Sequence, residues 1–311
     1  MSVSTPVTRS LEAARPSVST ILASRVSDYC QLVKPRISVM VLLTVSVGYF
    51  LANDGSASAP LWAAWLGIAL TAAASSALNQ WLEQDRDARM RRTMERPLPS
   101  GRMSPGEVLT FGILSAISGL LVLTLLVNTL TAVLTAATCL SYVFIYTPLK
   151  SRTVLCTTIG AVPGALPPVL GWTAAGGELN AGAGALFAIL FLWQFPHFLA
   201  IAWLYRHDYA DAGLKMLPSG PQSDRIVGLS AVMYAVCLLA VCLLPTAVGL
   251  AGPFYGCCAV VLTAVYLAAS IRFAWHPSRP TARGLIAVSL LHLPLVLLIL
   301  TWDHWRGLSG F

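Results

Sequence analysis

NQWLEQDRDARMRRTMERPLPSGR, residues 79–102, sets four acids and six arginines within 24 residues of a chain that is otherwise mostly lipid-like. The stretch runs on directly from an apolar segment at 60–82, so its charges mark where a helix leaves hydrocarbon and meets water. Asn79, Glu83 and Asp87 recur at i, i+4 and i+8. If the helix continues through them, their oxygen-bearing side chains share one face. Asp85 points away from that face and joins it only where the helix unwinds. Hard oxygen donors of this kind suit Mg2+, and the neighbouring guanidiniums suit phosphate oxygens.

The rest of the chain sets that polar rim in a membrane. Of 311 residues, 56% are hydrophobic and 11% charged, with mean hydropathy +0.72, a balance that excludes an ordinary soluble enzyme. Apolar runs of roughly 17 to 25 residues, enough to cross a bilayer, fall near 37–53, 60–82, 105–126, 128–147, 155–173, 183–205, 226–247, 252–274 and 282–302. The fold class read from them is an all-α polytopic membrane protein with nine transmembrane helices. Basic residues test the count, because Lys and Arg collect on the cytoplasmic side of short loops. Nineteen of the twenty Lys and Arg fall in the N-terminal segment or in alternate connections, and Arg306 alone falls opposite. An odd number of spans follows, with the charged loops on the cytoplasmic or matrix side.

The expected domain organisation is a disordered tail over 1–30, a nine-helix membrane domain over 31–305 and a short tail over 306–311. The bacterial inner membrane is the expected location, ahead of the mitochondrial inner membrane. The net charge of +7 is accounted for by topology and anionic lipid rather than by nucleic acid. Seven cysteines without C-x-x-C spacing indicate neither a zinc site nor a disulfide framework.

Other polar groups fall where function is expected. A single carboxylate at a helix end reads as solvated surface, but ionisable groups at this density near a membrane face a cavity or a partner. Arg91, Arg92, Arg96 and Arg102 follow the acids, and Pro97 with Pro99 folds the segment into a lid over the helix end. Lys150 and Arg152, after the fourth span, offer two more cations to the same phosphate, with a plain topology anchor as the alternative for Arg152. The run from Gly160 to Pro168, then Gly171, holds too many helix breakers for a passive lipid-facing span. Gln194 and His197 lie three apart on one face of the sixth span, and His292 repeats the argument more weakly in the ninth. Asp208 and Asp211 follow the sixth span, where they bind a second metal or clamp the basic loops.

These residues resemble the membrane-embedded aromatic prenyltransferase superfamily and, within it, the protoheme IX farnesyltransferase branch. The first loop looks like the superfamily's Asn-x-x-x-Asp-x-x-x-Asp motif, with Glu83 in the middle position, followed by RTMERPLPSGR. Lys34-Pro35-Arg36, YTPLK, GALPPVLGW, WQFPHF and DYADAGLKMLP point to the branch, and the matches run from about residue 30 to 302. The resemblance implies nine helices around a central cavity and a reaction in which farnesyl diphosphate, heme B and water give heme O and diphosphate. It implies Mg2+ as cofactor, held by Asn79, Glu83 and Asp87 with Asp85 assisting. Arg92, Arg96, Lys150 and Arg152 would bind the diphosphate. Gln194, His197, Asp208 and His292 would contact heme, which is a substrate, and His197 would sit near the porphyrin. The implied partners are farnesyl diphosphate, heme B, membrane lipid and a downstream heme A synthase.

Two positions depart from the pattern. Cys156 stands where similar sequences show Asn, and Asp208-x-x-Asp211 replaces the wider superfamily's Asp-x-x-x-Asp. A prenyltransferase acting on another aromatic or tetrapyrrole acceptor would share the first loop but not WQFPHF. A secondary transporter would share the broken helices without needing Mg2+. A CDP-alcohol phosphotransferase would carry a glycine within a denser acidic motif, which is missing here.

Overall fold

The computed structural model describes residues 18–53 and 59–309, side chains of 18–21 and 309 excepted. Among these the chain is helical throughout, in the order α1 Val18–Val33, α2 Pro35–Ala52, α3 Leu61–Asp87 and α4 Pro105–Leu126. α5 Thr129–Leu140 follows and runs through a π-helical segment, Ser141–Tyr146, into α6 Thr147–Leu149. Then come α7 Cys156–Ala165, α8 Pro167–Ala174, α9 Ala181–Leu204, α10 Arg206–Asp211, α11 Ser223–Val241, α12 Leu244–Ala247, α13 Pro253–Trp275 and α14 Arg279–Ser309.

Local chemistry sets the helix starts. The Ser104 hydroxyl accepts from the Glu107 N–H at 3.2 Å, and Asn128 Oδ1 accepts from the Thr131 N–H at 2.8 Å. Both satisfy donors that a helix N-terminus leaves unpaired. Proline occupies the first helical turn of α2, α4 and α13, where its missing N–H costs nothing.

Eight helical stretches among the described residues are long and apolar enough to cross a bilayer. They match eight of the nine expected spans. The ninth, read at 155–173, is not one continuous helix but the pair α7 and α8, which meet at Leu166. Pro163, Pro167 and Pro168 remove three N–H donors in a row of six residues, which breaks the helix there. End to end the pair is roughly 28 Å long at the helical rise per residue, still close to the thickness of the hydrocarbon core. Eight continuous spans are thus found among the described residues, and the fifth expected span is this broken pair, in line with the helix breakers from Gly160 to Pro168.

Glycines let the broken span sit against α2. A Cβ on Gly48 would overlap the Pro168 carbonyl oxygen, and one on Gly171 would overlap that of Val45. On the outside, Leu121, Leu125, Val261, Leu291 and Leu298 are exposed, as expected of side chains facing lipid.

Residues 18–30, assigned from sequence to a disordered tail, are part of α1; residues 1–17 lie outside the described residues. α1 is fastened to the basic end of the bundle. Its Leu32 carbonyl accepts from Ser76 Oγ at 2.8 Å and Gln80 Nε2 at 2.9 Å. Asp28 pairs with Arg102 at 2.7 Å, and the Tyr29 hydroxyl donates to Glu107 at 2.9 Å. At the other terminus α14 continues through Ser309, so the short tail read from 306 is helical for its first residues.

Candidate functional site

α3 stays helical as far as Asp87, so Asn79, Glu83 and Asp87 share a face as the spacing requires. That face is turned inward: the three are 2%, 6% and 1% exposed. Two buried carboxylates so close in sequence would each carry a heavy desolvation cost unless paired. Each is paired with a cation from a different loop. Lys150, beyond α6, reaches Glu83 Oε2 at 3.0 Å, and Arg96, in the segment after α3, reaches Asp87 Oδ2 at 2.6 Å.

Asn79 completes the arrangement. Its Nδ2 donates to Glu83 Oε2 at 3.0 Å and to Thr147 Oγ1 at 2.9 Å. Thr147 in turn donates to the Tyr142 carbonyl at 2.9 Å. That carbonyl lies in the π-helical segment, the kind of wide turn that recurs at functional sites. The Thr93 hydroxyl donates to the Asp87 carbonyl at 2.8 Å, which closes the end of α3 and directs the chain back over it, with Pro97 and Pro99 following.

Electrostatics at the rim follow from this crowding. Burial works against charge on Lys150, but Tyr146, Glu83 and Tyr142 outweigh it and hold its ammonium protonated above the ordinary lysine range. Lys34, half-buried where α1 meets α2, is driven the other way. Burial, then the nearby charges of Arg96 and Lys150, lower its pKa to about 7 despite Asp87 and Glu83. Its backbone is left-handed, with φ of 50°, so the turn that presents it is itself constrained.

One atom tests whether a cation fits. Glu83 Oε1 is buried and has no hydrogen-bond partner, while Oε2 holds both Asn79 and Lys150. A buried carboxylate oxygen left unpaired asks for a further positive ligand, and with Asn79 and Asp87 on the same face the donor set is oxygen-rich, as Mg2+ prefers. The residues present fit the ion. No group of three or more His, Cys, Asp or Glu placed to hold a metal occurs among the described residues; the set here has two acids and an amide.

Several sequence-predicted residues stand elsewhere. Asp85 is exposed, because α3 does not unwind before Asp87. Arg92 is exposed and held away from the acids, stacked over Tyr205 at 4.9 Å and bonded to the Tyr209 hydroxyl at 3.1 Å. Arg152 is also exposed, whereas Arg86 joins the two loops through Ser151 Oγ at 3.1 Å. Asp208 is half-buried and Asp211 exposed; their helix α10 reaches the first loop through packing of Tyr209 and Ala212 with Met90.

The expected acceptor residues separate. Gln194 and His197 share α9 but not a partner. Gln194 Nε2 donates to the Ala161 carbonyl at 2.8 Å, fastening α9 to the broken span. His197 Nδ1 is 2.7 Å from Ser289 Oγ on α14, and its ring stacks on Trp193 at 5.3 Å. The Tyr266 hydroxyl donates to the Trp193 carbonyl at 2.8 Å, and its ring lies 5.1 Å from that of His292. His292 Nε2 is 3.0 Å from Thr263 Oγ1, while its Nδ1 is buried without a partner. His197 and His292 thus join one polar cluster between α9, α13 and α14.

Sequence reasoning did not single out Thr147, Thr93 or Ser289, and it used Lys34 only as part of a motif. Lys34 carried a signal, a cation that stands with Arg36 directly before a span. The hydroxyls carried none, since threonine and serine recur in most of the spans.

Residues 41–301 match the model of the UbiA prenyltransferase family. The chain belongs to that family. It is therefore an integral membrane prenyltransferase of the UbiA fold. It resembles protoheme IX farnesyltransferases: one from Solibacter usitatus is 42% identical over 89% of this chain and 98% of its own length. Another, from Koribacter versatilis, is 42% identical over 96% and 98% respectively. Among solved structures, a digeranylgeranylglyceryl phosphate synthase superposes with a TM-score of 0.73 over 91% of this chain and 99% of its own, at 16% identity. A UbiA homolog from Archaeoglobus fulgidus, bound to GPP and Mg2+, gives 0.60 over 88% and 99%, at 17% identity. At those identities the likeness is one of fold.

Proposed function

We propose that this UbiA-family chain transfers the farnesyl group of farnesyl diphosphate to a vinyl group of heme B, with addition of water, giving heme O and diphosphate. The observation that carries the reading is the inward face of α3, where Glu83 and Asp87 meet Lys150 and Arg96 and one carboxylate oxygen is left over. The farnesyltransferase relatives support the choice of substrates.

Asn79, Glu83 and Asp87 would hold Mg2+, which supplies positive charge against the diphosphate oxygens. Lys150 and Arg96 are already fixed by their carboxylates, so they meet the departing diphosphate with little reorganisation. Arg92 and Arg152, exposed at the rim, draw the anion in from solvent. Apolar helix interiors keep water from the allylic cation until the vinyl carbon attacks. The cluster of Trp193, His197, Tyr266 and His292 is aromatic and suited to a porphyrin face, with Gln194 beside it on α9, while Asp208, on α10 near the first loop, is the proposed contact for the acceptor at the rim. A heme A synthase, consuming the product, is the proposed downstream partner. The proposed setting is the bacterial inner membrane, with the α3 rim on the cytoplasmic side.

Incubating the purified protein with heme B, farnesyl diphosphate and Mg2+, followed by mass analysis of extracted heme, tests the reading. A gain of one farnesyl group and one hydroxyl is expected. Unaltered heme beside a prenylated product from another acceptor would overturn the substrate, and undiminished turnover after exhaustive chelation would overturn the ion.

A further inference from the structure

Away from the α3 rim, a groove of about 300 Å³ lies between α13 and α14. Its floor is apolar, formed by Val265, Ala269, Leu285 and Val288, and Arg272 and Gly284 line its basic end. The groove exists because small residues face each other there. Gly284 has open space where a side chain would be, since a Cβ built on it meets nothing within 4 Å. Val265 and Gly284 are exposed, so the groove opens sideways, toward lipid.

Charge at its mouth is of one sign. No Asp or Glu occurs anywhere between Arg225 and Trp302. Arg272, Arg279 and Arg283 are exposed, and none of the three makes an ion pair or side-chain hydrogen bond among the described residues. Trp275 beside them is 77% exposed, an aromatic at the height where membrane proteins meet headgroups. The ring contact of Trp203 with Phe273, at 5.6 Å, places this corner at the same end of the bundle as the close of α9. The carboxylate at this corner, Asp224 of α11, accepts from Trp203 Nε1 at 2.8 Å and pairs with none of the three guanidiniums among the described residues.

We propose that this groove binds one anionic phospholipid, with an acyl chain along Val265, Ala269, Leu285 and Val288 and its phosphate on Arg272, supported by Arg279 and Arg283. An apolar channel closed at one end by unpaired guanidiniums complements a lipid tail and its phosphate. The site does not depend on the identity of the prenyl acceptor.

Native mass spectrometry of the full chain in neutral detergent, titrated with phosphatidylglycerol and phosphatidylcholine of equal chain length, tests the proposal. Phosphatidylglycerol is expected to be retained more strongly. Arg272→Gln should weaken it about fivefold, the worth of one basic residue at an anionic headgroup. Gly284→Leu should fill the channel and remove the retained lipid without lowering the melting temperature. Ala268→Leu, on the facing wall, gives a second occlusion should the first fail to fold. Equal retention of the two lipids, or unchanged retention in a folded occluded variant, overturns the site. Displacement of the phospholipid by equimolar farnesyl diphosphate would also overturn it, assigning the groove to the prenyl substrate.

Discussion

The end of α3 and the cluster between α9, α13 and α14 are both buried and both polar, yet they are built on opposite principles. At α3 each buried acid has a cation within 3.0 Å. Around His197 and His292 the partners are Ser289, Thr263 and aromatic rings, with no charge among them. A buried ion pair holds its cation in place for an arriving anion, at the cost of desolvating both members. A neutral hydrogen-bonded cluster holds no such cation, but it presents a surface that neither repels nor fixes a large apolar ring. In the proposed reaction the contrast would divide leaving group from acceptor.

The largest effect should come from breaking one ion pair. Lys150→Met leaves the Glu83 carboxylate buried without its cation and should cost about 3–5 kcal/mol, read by thermal unfolding in detergent. The double variant Glu83→Gln/Lys150→Met should recover most of that stability while remaining inactive, which separates folding from chemistry. A double variant as unstable as the single one would show that the pair does not act as a unit.

Asp87→Asn frees Arg96 and removes a proposed ion ligand, and should lower heme O formation by about 10²–10³-fold, the scale of losing one preorganised electrostatic contact. Heme binding, followed by absorbance, should survive. Asp85→Asn sharpens the comparison, since its exposed carboxylate should matter far less; equal losses would mean that α3 unwinds when substrate binds.

In the neutral cluster, His197→Phe keeps a ring against Trp193 and loses the Ser289 hydrogen bond, about 0.5–1.5 kcal/mol of stability. Its signature should be a raised KM for heme with kcat for bound heme little changed. A collapse of kcat at saturating heme would place a charge-handling role in the supposedly neutral region.

The smallest effect is a pH dependence. Lys34 has a folded pKa of about 7, below its unfolded value, so between those two values the unfolded chain binds the extra proton and stability rises with pH. The substrate-free protein should therefore gain melting temperature from about pH 7 upward relative to Lys34→Met. A difference that is flat with pH would show that Lys34 is not held among the other cations.

Much of this fold could be read from hydropathy and from the side on which arginines fall, because lipid constrains every span in the same way. The span at 155–173 announced its breakage through Pro163, Pro167 and Pro168, though not the place of the break. At the site, the i, i+4, i+8 spacing of Asn79, Glu83 and Asp87 was legible because a helix repeats. What was not legible is pairing across loops. Six arginines and one lysine stood near four acids, and nothing local distinguishes Arg96, which meets Asp87, from Arg92, which is carried off by Tyr205 and Tyr209. Likewise Gln194 and His197 share a helical face in sequence but turn to different neighbours, a matter of which helix packs on each side.

The wide turn at Ser141–Tyr146 has a consequence for how such an enzyme could be retuned. A π-type turn carries about one residue more than the α-helix around it. Deleting a single residue there, Ile145 for instance, would return the segment to regular winding yet leave Thr147 and Lys150 near their present azimuth, because the wide turn already absorbs the extra residue. The ammonium would still face Glu83, and only the slack that lets the Tyr142 carbonyl receive the Thr147 hydroxyl would go, so the deletion isolates what the wide turn contributes.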